Sequence, residues 1–264
     1  MIPALAARLP TLGLAVQLAR RELRNRYLGS FSGGAWALLQ PLVQLAVYAF
    51  VFGYVFRARL PGADAPGYVP FLVVALWPWT AFAEALSRAT TAIPDNASLI
   101  GKVALPRVAL VIAPVLASFT IHGAGFLGLL LVLLLTGAGI SPAGLLLMLP
   151  ALLLLFLFAL GLALLLSALQ VFVRDIAPAL PQLLMLWMFL SPVFYARSAM
   201  PEFVQPWFDL NPMTGVVEYL RLVLLGMPPP GMRALACSVL AVALALWLGG
   251  FAFRRLQRHF EDFL

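Results

Sequence analysis

Residues 108–173 run for 66 positions without a charged side chain. A helix needs about 20 apolar residues to cross a bilayer, so this run is long enough for two spans. Turn-forming residues break it at Gly137-Ala138-Gly139-Ile140-Ser141-Pro142-Ala143-Gly144, which predicts an antiparallel helical hairpin. Charge-free stretches at 27–56, 65–83, 176–196 and 234–253 supply four more spans, each ending at charges such as Arg57, Glu84, Arg197 and Arg254. The expected fold is an all-α integral membrane protein. It forms a single transmembrane domain over 1–264, with spans at about 33–56, 68–88, 108–136, 143–171, 176–196 and 234–253. With 63% hydrophobic and only 10% charged residues, against roughly a quarter charged in soluble domains, the chain is not an ordinary soluble globule.

Six spans put both termini on one side. With that side cytoplasmic, twelve of the 17 Lys/Arg residues lie inside: Arg8, Arg20, Arg21, Arg24, Arg26, Arg88, Lys102, Arg107, Arg174, Arg254, Arg255 and Arg258. Only Arg57, Arg59, Arg197, Arg221 and Arg233 lie outside. The positive-inside rule therefore places both ends in the cytoplasm. The arginines follow the first short apolar run and no small-residue cleavage site closes it, so the first 30 residues do not read as a cleavable signal peptide. The net charge of +7 is read as membrane topology and not as a nucleic-acid footprint. The single cysteine, Cys237, offers no metal cluster and no intrachain disulfide.

Three segments outside the spans have character of their own. Leu12, Val16, Ala19, Leu23 and Tyr27 form one helical stripe, with Arg20, Arg21 and Arg24 elsewhere on the wheel; this predicts a helix lying in the inner interface at about 11–28. Glu84 to Arg107 is the one long inner loop, divided by Pro94 and Pro106. On the outer side, Asn211-Pro212 resembles a helix start, and Val216, Val217, Leu220, Val223 and Leu224 give it an apolar face. A segment at about 200–228 is expected to dip into the bilayer and return, which requires protein to cover its backbone.

Catalytic chemistry is sparse. No span carries a pair of carboxylates of the kind that marks a proton relay. Ser118 and His122 share a helix face, but the nucleophile setting of a serine hydrolase is missing and no acid is expected to orient the histidine, so a polar contact inside the bundle is the expected role of His122. The phosphate-loop pattern fails at Gly101-Lys102, because residue 103 is Val and Asn96 stands where the first glycine belongs. The extramembrane segments are too short to hold an ATPase domain. Small residues recur every four positions at Ala159, Ala163 and Ser167 and at Ala241, Ala245 and Gly249, a pattern for close helix packing. Aromatics crowd the first, second and fifth spans, among them Tyr48, Phe52, Trp77, Trp79, Trp187, Phe189 and Tyr195. They read either as interfacial belts or as surfaces for the apolar faces of sugars.

In wording and order these segments resemble the membrane subunit of bacterial ABC polysaccharide exporters, the group that moves lipid-linked O-antigen, capsule or teichoic acid chains. The likeness is carried by Arg21-Glu22-Leu23-Arg24-Asn25-Arg26-Tyr27-Leu28-Gly29-Ser30, by Leu76-Trp77-Pro78-Trp79-Thr80-Ala81-Phe82, and by Asp95-Asn96-Ala97-Ser98-Leu99-Ile100-Gly101-Lys102 with Pro106-Arg107. It continues in Phe189-Leu190-Ser191-Pro192-Val193-Phe194-Tyr195, Leu210-Asn211-Pro212 and Phe253-Arg254-Arg255-Leu256.

The resemblance implies a permease without catalysis of its own, in the inner membrane. It would work as a homodimer with two copies of an ATP-binding subunit that binds the ATP and Mg, and would move a lipid-linked, O-antigen-like polysaccharide out of the cytoplasm. It also implies a coupling loop at about 94–107 with Asn96, Leu99, Ile100, Lys102, Pro106 and Arg107. Arg20, Arg21, Arg24 and Arg26 would meet lipid or pyrophosphate, the seven aromatics would line a channel, and Pro192, Asn211, Pro212, Glu218 and Arg221 would form an outer gate, the last two pairing. A permease for a drug or lipid, and an intramembrane hydrolase built on Ser118 and His122, are the competing readings.

Overall fold

The computed structural model describes residues 8–27, 33–56, 67–100 and 105–263, with side chains from 11–24, 39–56, 67–100 and 105–263. All the regular structure among them is helical. The main helices are α1 (Arg8–Tyr27), α2 (Gly33–Tyr48), α3 (Tyr68–Thr90), α4 (Arg107–Leu135), α5 (Leu149–Gln170), α6 (Ile176–Phe189), α7 (Pro212–Leu225) and α8 (Met232–Leu256). Among the described residues four helical stretches are long and apolar enough to cross a membrane: Tyr68–Thr90, Arg107–Leu135, Gly144–Gln170 and Met232–Phe263. Leu39–Val55 and Ile176–Phe189 are shorter apolar stretches.

Helix α3 is the hub. In its most apolar window 78% of residues are buried inside the protein, against 28% in α4 and in the long C-terminal helix. Helices α2, α4, α5, α6 and α7 pack around it, so a helix that must satisfy its backbone internally is also shielded on nearly all sides. The α5–α8 contact is the most extensive between elements, and small residues explain it. A Cβ on Gly249 would fall 2.0 Å from the Gly161 carbonyl oxygen, and one on Gly161 would fall 2.6 Å from the Ala245 backbone. The two backbones touch, with Ala159, Ala163 and Ser167 fully buried beside them. The small-residue pattern is thus used for packing, with Gly161 as its unforeseen centre.

Between α4 and α5 the chain turns through Gly137 and Gly139, both with positive φ (71° and 78°), where any other residue is strained. Two elements depart from simple helices. Helix α2 continues into a π-helical turn at Ala49–Val55. Helix α6, expected to run to about 196, stops at Phe189, because Pro192 cannot continue it and restricts the residue before it. Residues 190–196 instead form a tight turn and extended segment. Its inward side chains Val193 and Phe194 are buried.

Candidate functional site

Polar side chains gather at two places in an otherwise apolar bundle. The first lies between α2, α3, α4 and α6, where an open cavity of about 530 Å³ is lined by Gln40, Gln44, Tyr48, Glu84, Arg88 and His122, among others. Its wall is built on i, i+4 spacing along α3. The Arg88 Nε donates to Glu84 Oε1 at 2.7 Å, and Glu84 Oε2 lies 2.6 Å from His122 Nε2 on α4. Glu22 on α1 approaches Arg88 Nη1 at 3.6 Å, so four ionisable residues from three helices form one chain. His122 is 2% exposed. The expectation that no acid orients this histidine is corrected here, since the acid sits 38 positions away on the neighbouring helix.

That pairing argues against the hydrolase reading. A catalytic histidine uses one ring nitrogen for the acid and the other for the nucleophile. His122 spends Nε2 on Glu84, and its Nδ1 makes no hydrogen bond. The Trp77 indole fixes the same turn of α4 by donating to the His122 carbonyl at 2.8 Å. The polar contact inside the bundle that the sequence suggested for His122 is what the structure contains.

The second cluster stands at the opposite end, around the segment that follows α6. Asn211 caps α7, its Oδ1 accepting from the Met213 N–H at 3.0 Å, with Pro212 at the first helical position where a missing N–H costs nothing. The same Oδ1 accepts from the Trp187 indole at 3.1 Å, and Asn211 Nδ2 reaches the Leu190 carbonyl at 3.0 Å and Ser191 Oγ at 2.9 Å. Arg221 is 3% exposed. Its two terminal nitrogens donate to the carbonyls of Pro192 at 2.7 Å and Val193 at 2.8 Å, while its guanidinium lies 3.4 Å from the centroid of Phe71. Tyr68 donates to the Phe194 carbonyl at 2.9 Å. Every residue from 190 to 194 therefore either offers a carbonyl to this knot or buries its side chain in it.

The expected Glu218–Arg221 pair does not form among the described residues; Arg221 turns to carbonyls and an aromatic face, and the ion pair of this region is Arg197–Asp209 at 2.7 Å. Burial raises the Glu218 carboxyl above its ordinary range, while Arg197 and Arg221 hold the rise down. An open cavity of about 430 Å³ runs beside Arg197, Glu218 and Arg221.

At the basic end the picture is looser. Arg20, Arg21 and Arg24 are exposed on α1, and the Arg26 side chain and all of Lys102 lie outside the described residues. Asn96 donates to the Ala92 carbonyl at 2.9 Å, Ile100 is buried, Leu99 is half-buried and Pro106 is exposed. Arg107 is not a free surface cation. It bonds to the Gln257 carbonyl and to Glu261, and lies over the Phe260 ring at 6.0 Å. It thereby clasps the chain's C-terminal turn, and Phe260 is fully buried there.

The aromatics named as channel-lining divide into two groups. Trp77 and Trp79 are 2% and 3% exposed; Trp79 packs edge-on against Trp187, which also meets Phe82 and Phe158. Trp77 is sealed in the core and belongs to packing, whereas Trp79, tightly packed as it is, still borders the cavity beside Tyr48 and Glu84. Tyr48 and Phe52 lie against Phe194, with centroids 4.8 and 5.0 Å away. Phe189 is 42% exposed, and Tyr195 is half-buried with its hydroxyl donating to the Phe189 carbonyl. These four, with half-buried Trp187, remain near the surface of the α2–α6 side.

Comparison with known proteins agrees with this architecture. Residues 14–225 match the ABC-2 type transporter family. The chain is 29% identical to an O-antigen export system permease protein of Myxococcus xanthus, across 95% of both chains. It is 26% identical to an O-antigen export system permease protein of Klebsiella pneumoniae, across 77% of both. It is also 26% identical to the polysialic acid transport protein of Escherichia coli, over 76% of this chain and 77% of that one.

Proposed function

Because the chain belongs to the ABC-2 type transporter family, we propose that it is the membrane subunit of an ATP-driven exporter of lipid-linked polysaccharide, O-antigen-like in type. The observation that carries this reading is the end-to-end likeness to an O-antigen permease. ATP hydrolysis belongs to a separate ATP-binding subunit, present in two copies and binding the Mg, and the permease itself works as a homodimer in the inner membrane with both termini in the cytoplasm.

The geometry supports a division of labour. The α2–α6 side carries uncovered apolar residues, including Val43, Val47, Leu183 and Leu186, and the cavity with Glu84, Gln44 and Tyr48 opens between these helices. A second copy placed on this side would turn two such cavities toward a common path. Amide and hydroxyl groups beside aromatic rings suit sugars, which offer hydroxyls on their rims and apolar faces. Tyr48, Phe52, Phe189 and Tyr195 serve as the path's aromatic surface, and the knot of Pro192, Asn211 and Arg221 holds its outer end. Residues 94–107 meet the ATP-binding subunit, and the exposed arginines of α1 meet lipid or pyrophosphate headgroups.

Purification from the native host in mild detergent, followed by native mass spectrometry, tests the assembly: two copies of this chain with two ATP-binding subunits are expected. Deletion of the chain should leave lipid-linked glycan on the cytoplasmic side, protected from enzymes added to intact spheroplasts. A monomer without a nucleotide-binding partner, or unchanged surface glycan after deletion, would sink the proposal.

A further inference from the structure

Helix α8 has a second face that transport leaves unused. One side is pressed against α5 through Ala245 and Gly249. The other is bare: Leu240, Leu244, Trp247 and Phe251 are 69%, 54%, 64% and 55% exposed, and at i, i+4, i+7 and i+11 they form a single stripe. Continued down the helix, the stripe reaches Arg254, Arg255 and Arg258. These three arginines, with Trp247, Phe251 and His259, line an open cavity of about 630 Å³.

Several details shape it into a groove and not merely a run of surface residues. The rings of Trp247 and Phe251 lie 15° from parallel with centroids 6.0 Å apart, making one flat apolar wall. Gly250 keeps the space beside that wall open; a Cβ there would have only the Arg254 Nη2 within reach, at 3.9 Å. No acidic side chain lines the cavity. Of the acids next in sequence, Glu261 is engaged by Arg107, and among the described residues Arg254, Arg255 and Arg258 make no ion pair. The other cavity at this end, beneath α1, differs in this respect: Glu22 and Asp95 face Arg21 and Arg88 there, so its charges balance.

We propose that this groove on α8 is a binding site for an anionic phospholipid. The phosphate sits among Arg254, Arg255 and Arg258, and an acyl chain lies along Phe251, Trp247, Leu244 and Leu240. Guanidinium forks match phosphate oxygens in geometry as well as charge. A basic pocket immediately below a membrane helix is where anionic headgroups collect, with aromatic rings at the same boundary. The stripe from Arg254 to Leu240 spans 14 residues, about 21 Å at the helical rise, which exceeds the roughly 15 Å depth of one leaflet's hydrocarbon. The site is independent of what the protein transports.

The test uses the complex of this chain with its ATP-binding partner, titrated with phosphatidylglycerol and followed by native mass spectrometry. Each arginine changed to glutamine should weaken phosphatidylglycerol binding about fivefold, and R254Q/R255Q/R258Q together about a hundredfold. Arg174→Gln, which removes an exposed charge elsewhere at this end, should leave binding unchanged. Phosphatidylglycerol with brominated acyl chains should quench a component of tryptophan fluorescence that Trp247→Phe abolishes. If the triple variant fails to assemble, Arg258→Gln alone must still show its fivefold loss. Unchanged binding after these substitutions, an equal loss in Arg174→Gln, or retention of a polyisoprenyl diphosphate glycan in place of phosphatidylglycerol would each overturn the assignment.

Discussion

The two polar clusters of this bundle solve the same problem in opposite ways. At one end Arg221 is buried and bonded only by neutral groups: two carbonyls and the face of Phe71. At the other, Glu84 is answered by charged or chargeable partners, Arg88 and His122, and borders an open cavity. A buried ion whose two terminal nitrogens each hold a backbone carbonyl acts as a fastener, because removing it orphans the groups it holds. A chain of ion pairs at the rim of a cavity, with Arg88 and Glu84 partly exposed, can exchange partners with solvent or ligand. The Arg221 cluster is therefore read as structural and the Glu84 cluster as functional.

The largest expected effect breaks the fastener. Arg221→Met should lower stability by about 2–6 kcal/mol, the cost of leaving two buried carbonyls without donors at about 1–3 kcal/mol each, seen as a fall in thermal unfolding temperature in detergent. Arg221→Lys should recover less than half of this, because an ammonium cannot bridge two carbonyls as a fork does. Full recovery by lysine would show that charge alone, and not the bridging of Pro192 and Val193, holds the segment.

Next comes Asn211→Ala, which removes the α7 cap, worth about 1 kcal/mol, and leaves the buried end of the Trp187 indole without its acceptor, worth about 1–3 kcal/mol more. A total of about 2–4 kcal/mol is expected by thermal unfolding. A loss below about 1 kcal/mol would reduce Asn211 to an ordinary cap. Glu84→Gln sharpens the contrast from the other side: Glu84 is 28% exposed, so solvent screens its pairs and stability should change by only about 1 kcal/mol. Export of surface glycan should nevertheless fall several-fold. Equal losses of export and unfolding temperature would assign Glu84 to the scaffold.

Much of the scaffold was legible in the chain. The 66-residue uncharged run, the paired glycines of the hairpin and the Asn211-Pro212 start are local signals, and a single stretch of sequence carries each. The site was less legible because its contacts are distant. Glu84 meets His122 from 38 positions away, Arg221 meets the Pro192 and Val193 carbonyls from 29 and 28, and Arg107 meets Glu261 from 154. Helical spacing suggested Glu218 for Arg221, since i, i+3 partners are the ones a sequence displays; burial against Phe71 and two buried carbonyls in need of donors decided otherwise. Trp77 misleads for a related reason: it has the character of a sugar surface, but the central position of α3 seals it inside, while Trp79 keeps an edge on the α2–α6 cavity.

The smallest effect concerns the clasp at the basic end. Arg107 is 20% exposed and its partner Glu261 is 61% exposed, so the pair itself contributes about 0–1 kcal/mol. Arg107→Gln should leave the unfolding temperature within about 2 °C of the parent. Its consequence is local, since Arg107 opens α4 at the end of the proposed coupling segment and also holds the C-terminal turn against the bundle. Losing the bond should let residues 257–263 exchange amide hydrogen faster, without change in the α5–α8 contact. If ATPase stimulation by cargo falls in the same variant while assembly with the ATP-binding subunit is kept, the C-terminal turn takes part in coupling. If both are retained, the clasp is only an anchor, and coupling rests on the 94–100 helical turns, where Asn96 and Ile100 are already fixed to the bundle.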